Sequence, residues 1–219
     1  IYRFEALSSV TPGNFVFKNI VLQAGDFLRV EIITDDFDKC QSEFFIPTIA
    51  STSIKEIQVD ESTSQAIVDV TFTLESPAEE SGYIIYAEGM VHNGETGVVE
   101  EVRFRVSSND ISLDQRISSD LSQRTKILII QPSEETTKDI NISINDIPPS
   151  FSPRNPKESV HLVVEQVSKD LYEYYLSLEM ANTLDPDRTI QEPFNIHSNI
   201  TGGIGIFGSR SISELLIQW

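Results

Sequence analysis

The sequence predicts an all-β fold, an antiparallel sandwich with one amphipathic α-helix near the C-terminus, from three observations. Apolar and polar residues alternate with a period of two along much of the chain, which is typical of strands with one buried and one solvated face. A period of 3.6 residues is clear once, after position 168. Glycine, asparagine and proline separate the alternating stretches, as they do at turns between short strands.

Four stretches show the alternation best. Their apolar residues are Leu28, Val30 and Ile32; Val68, Val70, Phe72 and Leu74; Val102, Phe104 and Val106; and Ile140, Ile142 and Ile144. The residues between them are charged or polar, for example Asp69 and Thr71 in the second stretch and Arg103 and Arg105 in the third. Each stretch therefore predicts a strand that turns its apolar face to a core. A further strand is expected near residues 161–167.

Turn residues place two chain reversals. Asn93-Gly94 tolerates the positive φ angles of a type I′ turn and predicts a hairpin over residues 82–107. Gly25-Asp26 is expected to reverse the chain in the same way, between strands at Phe15–Leu22 and Phe27–Thr34.

The 3.6-residue period predicts an amphipathic helix over residues 169–182. Its apolar positions, at i, i+3, i+4 and i+7, are Leu171, Tyr174, Tyr175 and Leu178. Ser168 is the expected N-cap, and Asp170 lies at the positive end of the helix dipole. Val167 is expected to pack on Tyr172 across that cap. We expect the aromatic stripe of this helix to lie against a sheet.

Many short strands with a single late helix are typical of immunoglobulin- or fibronectin-like β-sandwiches. A break near residues 47–53 predicts two units. Residues 1–48 would form a small or incomplete N-terminal β-sandwich domain. Residues 49–219 would form a larger β-sandwich domain that includes the helix and a glycine-rich C-terminal signature. The chain is long enough to bury a core without disulfides, and Cys40 is its single cysteine.

The charge is strongly acidic, with 16 basic and 34 acidic side chains and a formal net charge of -18. Such a charge repels phosphate backbones, so we expect no nucleic-acid partner. No stretch approaches about 18 consecutive apolar residues, and the first residues lack the pattern of a signal peptide. We therefore expect no membrane-spanning segment, and we expect a signal or lipid anchor to lie upstream of Ile1.

One glycine-rich motif has the spacing of a nucleotide-binding loop. Residues 203–208 match the dinucleotide-binding pattern GxGxxG letter for letter. That loop must open a helix and meet an acidic residue about 20 positions later, and too few residues follow Gly208 for this. We therefore expect no nucleotide and no other cofactor, and we assign the glycines to positive φ angles or close backbone approaches.

Signatures of catalysis and metal binding are missing from the sequence. His92, His161 and His197 stand in no triad or zinc motif, and no GxSxG elbow is present. We predict no enzyme, no catalytic residue and no metal site. Two turns hold the oxygen ligands that calcium prefers: Asp35, Asp36 and Asp38 in one, and Asp185 and Asp187 in the other. Neither matches a calcium-binding loop, so solvated turn residues are the simpler interpretation.

The C-terminal segment 192–208, EPFNIHSNITGGIGIFG, is unusual as a whole. It resembles the closing signature of a Bacteroidota outer-membrane lipoprotein family known as domain-of-unknown-function family 4249. Residues 25–33, 45–47 and 168–178 are similar to that family in the same order. The matching signature positions are Asn199, Gly202, Gly203, Gly205, Phe207 and Gly208. We interpret them as structural: the asparagine and glycines fix tight backbone, and Phe207 fills the core.

The resemblance also implies a function and a location. Members of that family look like lipid-anchored outer-membrane proteins whose genes tend to neighbour TonB-dependent receptors. We therefore expect a non-catalytic cell-envelope module accessory to a TonB-dependent outer-membrane receptor in nutrient uptake, attached to the membrane only through a lipid anchor. The alternatives are a glycan- or calcium-binding adhesin-like module and, ranked third, a hydrolase whose carboxylates are assembled across loops.

Overall fold

The computed structural model of the chain describes residues 21–33, 38–61, 65–75, 81–92, 96–109, 113–114, 128–130, 137–148, 151–152, 155, 158–183 and 195–219. In chain order the elements are β1 Phe27–Ile32, β2 Cys40–Phe45, β3 Ser51–Asp60, β4 Ala66–Glu75, β5 Ser81–His92, β6 Val99–Ser107, β7 Leu113–Asp114, β8 Leu128–Ile130, β9 Thr137–Ile147, β10 Ser159–Ser168, α1 Lys169–Thr183 and β11 Arg210–Ile217. Strand pairs among these residues are antiparallel. This confirms the predicted fold class as mostly antiparallel β with one helix.

The strands form two sheets. β1 and β2 pair as a two-stranded sheet, hereafter the N-terminal hairpin, in a register that places Phe27 opposite Phe45. The second sheet has nine strands in the order β11-β10-β5-β6-β9-β4-β3, with β8 paired to β5 and β7 paired to β8. The immunoglobulin- or fibronectin-like type and the division into domains 1–48 and 49–219 stay predictions.

The nine-stranded sheet curls over itself. β6 pairs with β5 through residues 99–104 and with β9 through residues 105–107, so it passes from one layer to the other. The outermost strands β3 and β11 contact each other, and the hydroxyl oxygens of Thr52 and Ser213 lie 2.7 Å apart. The curl therefore encloses a core between strands that are distant in the sheet order.

The core inside this curl contains the apolar faces that alternation predicted. The buried residues of β4, β6 and β9 include Val68, Val70, Phe72, Leu74, Phe104, Val106, Ile140, Ile142 and Ile144. β10 differs because both of its faces are covered. Leu162 and Val164 face the core, whereas Val163 and Val167 lie in a second buried cluster under α1.

The hairpin predicted over residues 82–107 is confirmed. β5 and β6 pair antiparallel, and the last pair before the connection is His92 with Val99. Residues 93–95, which include the predicted Asn93-Gly94 turn, lie outside the described residues.

Helix α1 begins where the sequence predicted, but its buried face is rotated. The residues of the helix that pack in the second cluster are Leu171, Tyr172, Tyr175 and Leu176. Tyr172 and Val167 are both buried there, as expected, whereas Tyr174 and Leu178 lie outside the cluster, so their prediction is wrong. An added Cβ at Gly82 of β5 would lie only 2.2 Å from Tyr172 Cδ2, so the glycine makes room for the tyrosine ring. Within the described residues, no helix has the length and apolar character that crossing a bilayer requires.

Candidate functional site

Residues 195–209, which directly precede β11, form a closed loop that we call the signature loop. The Asn199 side chain closes it, because its Nδ2 donates to the Phe207 carbonyl at 2.7 Å and its Oδ1 accepts from the Phe207 N–H at 3.0 Å. A carboxamide carries the same donor and acceptor as a peptide group, so it can pair with both polar backbone atoms of one residue. Ser198 Oγ adds a bond by accepting from the Gly205 N–H at 3.1 Å.

The signature loop lies against the end of β2. Gln41 and Thr201 exchange two backbone hydrogen bonds, of 3.0 and 2.9 Å. Gly202 has a φ of 81°, and a Cβ there would lie 2.5 Å from the Lys39 carbonyl oxygen. The Cys40 thiol donates to the Gly202 carbonyl at 3.0 Å. A glycine is therefore needed at position 202 both for its backbone angle and for the close approach to β2.

The other half of the signature loop contacts both the hairpin and the helix. Phe207 is half-buried and outside the core clusters, so the prediction that it fills the core is wrong. Its ring lies parallel to that of Phe44 on the hairpin, with the centroids 6.5 Å apart. A Cβ at Gly208 would lie 2.6 Å from Leu171 Cβ, so this glycine permits contact with α1. Gly205 has a φ of 144°, a backbone angle that favours glycine.

Serine hydroxyls at the end of the signature loop tie the hairpin to the large sheet. Ser209 Oγ donates to the Phe45 carbonyl, and Ser211 Oγ donates to the Pro47 carbonyl at 2.6 Å. The Ser209 backbone exchanges bonds with Ser168, accepting from its N–H at 3.0 Å and donating to its Oγ at 3.3 Å. Sequence reasoning missed these contacts, since a hydroxyl that bonds to a distant carbonyl leaves no periodic pattern.

The exposed face of the hairpin carries an aromatic pair. Phe27 and Phe45 are 53% and 57% exposed, and their ring centroids are 4.7 Å apart. They lie beside the predicted Gly25 turn, where Gly25 has a φ of 85° and donates to the Ile46 carbonyl at 2.8 Å. Three exposed apolar residues flank the pair along the chain: Val21, Leu22 and Ile49. We call these three and the two phenylalanines the hairpin patch.

Beyond the aromatic pair, the same face carries charged side chains. Arg29 contacts Glu31 at 2.8 Å and Glu43 at 3.7 Å, and Lys39 contacts Glu31 at 2.7 Å. The hydrogen bond from Lys39 holds the pKa of Glu31 below its usual value. Exposed pairs of this kind contribute little to folding stability. Their consequence is a face that is apolar at one end and charged along the rest.

A buried acid lies under α1. Glu165 accepts a hydrogen bond from the Tyr86 hydroxyl at 3.0 Å, and its carboxylate pairs with Arg210 at 2.8 Å. Burial, and then the Glu165 charge, raise the pKa of Tyr86, and burial raises the pKa of Tyr175 as well. The Arg103 guanidinium lies 4.7 Å from the centre of the Tyr86 ring. The cluster joins β5, β10 and β11, and an acid within an apolar strand is the signal that could have found it.

A second polar cluster joins α1 to the signature loop. His197 Nε2 lies 2.9 Å from Asp170 Oδ1, and His197 Nδ1 lies 3.3 Å from Glu173 Oε2. All three side chains are half-buried. The His197 N–H also donates to Ser177 Oγ at 2.9 Å, and Ser177 in turn donates to the Tyr174 carbonyl at 2.8 Å. The backbone of the signature loop is thereby held against the helix.

Comparison with known proteins identifies the family. The family described as Domain of unknown function (DUF4249) matches residues 2–215. The chain belongs to this family. DUF4249 membership confirms the family resemblance drawn from the C-terminal signature, and the match spans the hairpin, α1 and all of the signature loop. No match was found among curated proteins or among solved structures.

In this DUF4249 chain, the six signature positions lie in one loop, whereas the other candidates do not converge on it. His92 is on β5 and His161 is on β10, and only His197 lies in the signature loop. Asp38 is exposed. The remaining acidic turn residues lie outside the described residues: Asp35, Asp36, Asp185 and Asp187. Sequence reasoning named His197 without a role; the i, i+3 spacing of Asp170 and Glu173 was the available signal.

Proposed function

We propose that this DUF4249 protein is a non-catalytic interaction module of the cell envelope, accessory to a TonB-dependent outer-membrane receptor in nutrient uptake. Its Bacteroidota origin, its outer-membrane location through a lipid anchor and its receptor partner belong to the same proposal. Family membership supports the proposal through the resemblance stated above. A contact surface on the chain itself supports it independently.

The observation that carries the proposal is the hairpin patch. Phe27 and Phe45 pack against each other, yet each exposes more than half of its surface. Aromatic rings are enriched at the centres of protein interfaces, where each buries a large area at a small cost in side-chain entropy. The charged ladder of Arg29, Glu31 and Glu43 borders the patch on the same face, as a polar rim borders an interface core.

The signature loop gives this surface a defined position. It pairs with the backbone of β2 at Gln41 and stacks Phe207 on Phe44, so it holds β2 both at its backbone edge and through a side chain. Ser209 and Ser211 attach the chain where the hairpin ends. A surface held in one orientation loses less conformational entropy on binding than a mobile one. The proposed role of the family signature is therefore to present the hairpin to a partner.

Co-purification tests the proposal. The tagged full-length protein is isolated from its native envelope with mild detergent, and the amount of TonB-dependent receptor bound to it is measured by mass spectrometry. The variant pair Phe27→Ser and Phe45→Ser is expected to lose most of the receptor, about tenfold or more, as expected for the centre of an interface. Val98→Ser with Leu216→Ser is the matched control, because these residues are also apolar and about half exposed but lie outside the patch.

Two results would contradict the proposal. If no receptor accompanies the wild-type protein, the accessory role is wrong. If the receptor is retained equally by the patch variant and the control, the partner binds elsewhere and the hairpin patch is not the contact surface.

A further inference from the structure

We propose that Asp170, Glu173 and His197 bind a divalent transition-metal ion, with Zn²⁺ as the first candidate. One potential ligand atom from each side chain lies within 4.8 Å of the other two. Among the described residues, this is the cluster of His, Cys, Asp or Glu side chains close enough to share a metal ion. The sequence predicted no metal site because its ligands are split between a helix and a distant loop. The proposal is independent of the hairpin patch and of any receptor.

The helix positions two of the three ligands. Asp170 and Glu173 are three residues apart near the start of α1, so their side chains lie on the same face of the helix. His197 comes from the signature loop, and its backbone is held by the 2.9 Å bond to Ser177 of the same helix. All three ligands therefore depend on α1 for their positions, and an ion would bind with little rearrangement of backbone.

The ligand chemistry favours a borderline metal ion. One imidazole nitrogen with two carboxylates is a ligand set for zinc and its first-row neighbours, and three protein ligands leave a coordination position for water. Calcium and magnesium prefer oxygen ligands alone, so His197 selects against both. The carboxylates carry two negative charges against at most one positive charge on the imidazole, and a divalent ion compensates that excess.

The distances fit the insertion of an ion between His197 and Asp170. Their ligand atoms are 2.9 Å apart, and two ligands at about 2.0 to 2.2 Å from a tetrahedral zinc stand about 3.3 Å apart. A widening of a few tenths of an ångström suffices there. Glu173 contacts the opposite ring nitrogen at 3.3 Å, so its carboxylate must turn toward Asp170 to become the third ligand of an ion held at Nε2.

Calorimetric titration of the chelator-treated full chain with ZnCl₂ tests the site. We expect one equivalent of Zn²⁺ to bind, and we expect His197→Gln and Asp170→Asn each to weaken binding by about tenfold or more. Glu173→Gln should weaken it by a similar or smaller factor. The control is the double variant His92→Gln and His161→Gln, which removes both other histidines and should leave the affinity unchanged. Substitution of Co²⁺ for Zn²⁺ should give a visible absorption spectrum that is lost with His197→Gln.

Asp170→Asn and Glu173→Gln are isosteric and His197→Gln keeps a polar side chain of similar length, and circular dichroism of each variant verifies the fold. Wild-type protein should also melt at a higher temperature with Zn²⁺ present, since an ion that binds the native state stabilises it. Absence of binding by the wild type at millimolar Zn²⁺ would overturn the proposal. So would binding that survives His197→Gln and Asp170→Asn in folded protein, or that is lost in the histidine control.

Discussion

At the scale of single residues, the Asn199 side chain makes the two hydrogen bonds that a neighbouring strand would otherwise make. Asn199 bonds to both the N–H and the carbonyl of Phe207, eight residues further along the chain, and thereby closes the signature loop without a backbone pair. The glycines act differently: Gly202 supplies a positive φ beside β2, and Gly208 supplies space beside Leu171. The glycines of the signature thus have two separate physical causes, and Asn199 has a third role.

The first prediction concerns this closure. Asn199→Ala removes both bonds and leaves the polar backbone atoms of Phe207 half-buried, so we expect the free energy of unfolding to fall by about 1 to 3 kcal/mol. Urea unfolding followed by fluorescence measures it. Asn195→Ala is the control, because Asn195 is exposed at the start of the same loop and should change stability by less than about 0.5 kcal/mol. Equal effects at the two positions would show that Asn199 does not close the loop.

At the scale of elements, β10 is buried on both faces and lies between the core and helix α1. One face of β10 lines the core, and the other face carries Val163 and Val167, which lie under α1. Glu165 lies on that second face, with Tyr86 of β5 and Arg210 of β11 as its partners. Because the carboxylate is nearly fully buried, removal of either partner leaves a poorly compensated charge.

The second prediction concerns the alkaline stability of this cluster. The pKa of Tyr86 is raised in the folded protein above the ordinary value of 10.0, so the folded state keeps the phenol proton at pH values where the unfolded chain loses it. This contribution to stability is complete below about pH 10 and is lost as the pH rises further. Urea unfolding between about pH 8 and 11 should therefore show falling stability at the alkaline end.

Tyr86→Phe isolates the effect. At about pH 8 we expect it to cost about 1 to 3 kcal/mol, since Glu165 loses a hydrogen bond, and we expect a shallower loss of stability above about pH 10. Some slope should remain, because the pKa of Tyr175 is raised too. Tyr174→Phe serves as the control, since that residue lies outside the buried cluster. An unchanged alkaline slope in Tyr86→Phe would contradict the assignment.

At the scale of the whole molecule, the N-terminal hairpin is a separate sheet attached through the signature loop. The attachment points are the backbone pair between Gln41 and Thr201, the close approach of Gly202 to β2, and the hydroxyl bonds of Ser209 and Ser211. These attachments are mostly single hydrogen bonds, and the Phe44–Phe207 stack adds an apolar contact among the described residues. The hairpin should therefore detach from the body at a lower free energy than global unfolding.

The third prediction tests this hierarchy by hydrogen exchange. Gly202→Ala strains a φ of 81° and places a Cβ 2.5 Å from the Lys39 carbonyl oxygen. Amides of β1 and β2 should exchange about tenfold faster or more, which corresponds to about 1.4 kcal/mol, while amides of β9 in the core keep their protection. Gly97→Ala is the matched control, since Gly97 has a φ of 70° with open space around it. Faster exchange of the hairpin in both variants would show that the effect is not local.

The parts of the fold that sequence predicted share a physical origin. β4, β6 and β9 each have one buried face and one polar face, so a period of two is visible in the letters themselves. α1 was located because the period changes to 3.6. Its buried face was misassigned at Tyr174 and Leu178, which lie outside the buried cluster. Phe207 was placed in the core because aromatic residues are usually buried, whereas its partner is Phe44 of the hairpin.

The sequence by itself determined the strand-rich class, the start of the helix, the need for glycine in the signature and the family, because these depend on neighbours within a few residues along the chain. Only the tertiary structure decided that Cys40 meets Gly202, that Glu165 meets Arg210 and that His197 meets Asp170. Such pairs are joined by sheet order and by the docking of the hairpin, and no local spacing encodes them. The candidate metal site of this protein lies where such a long-range contact brings polar groups together.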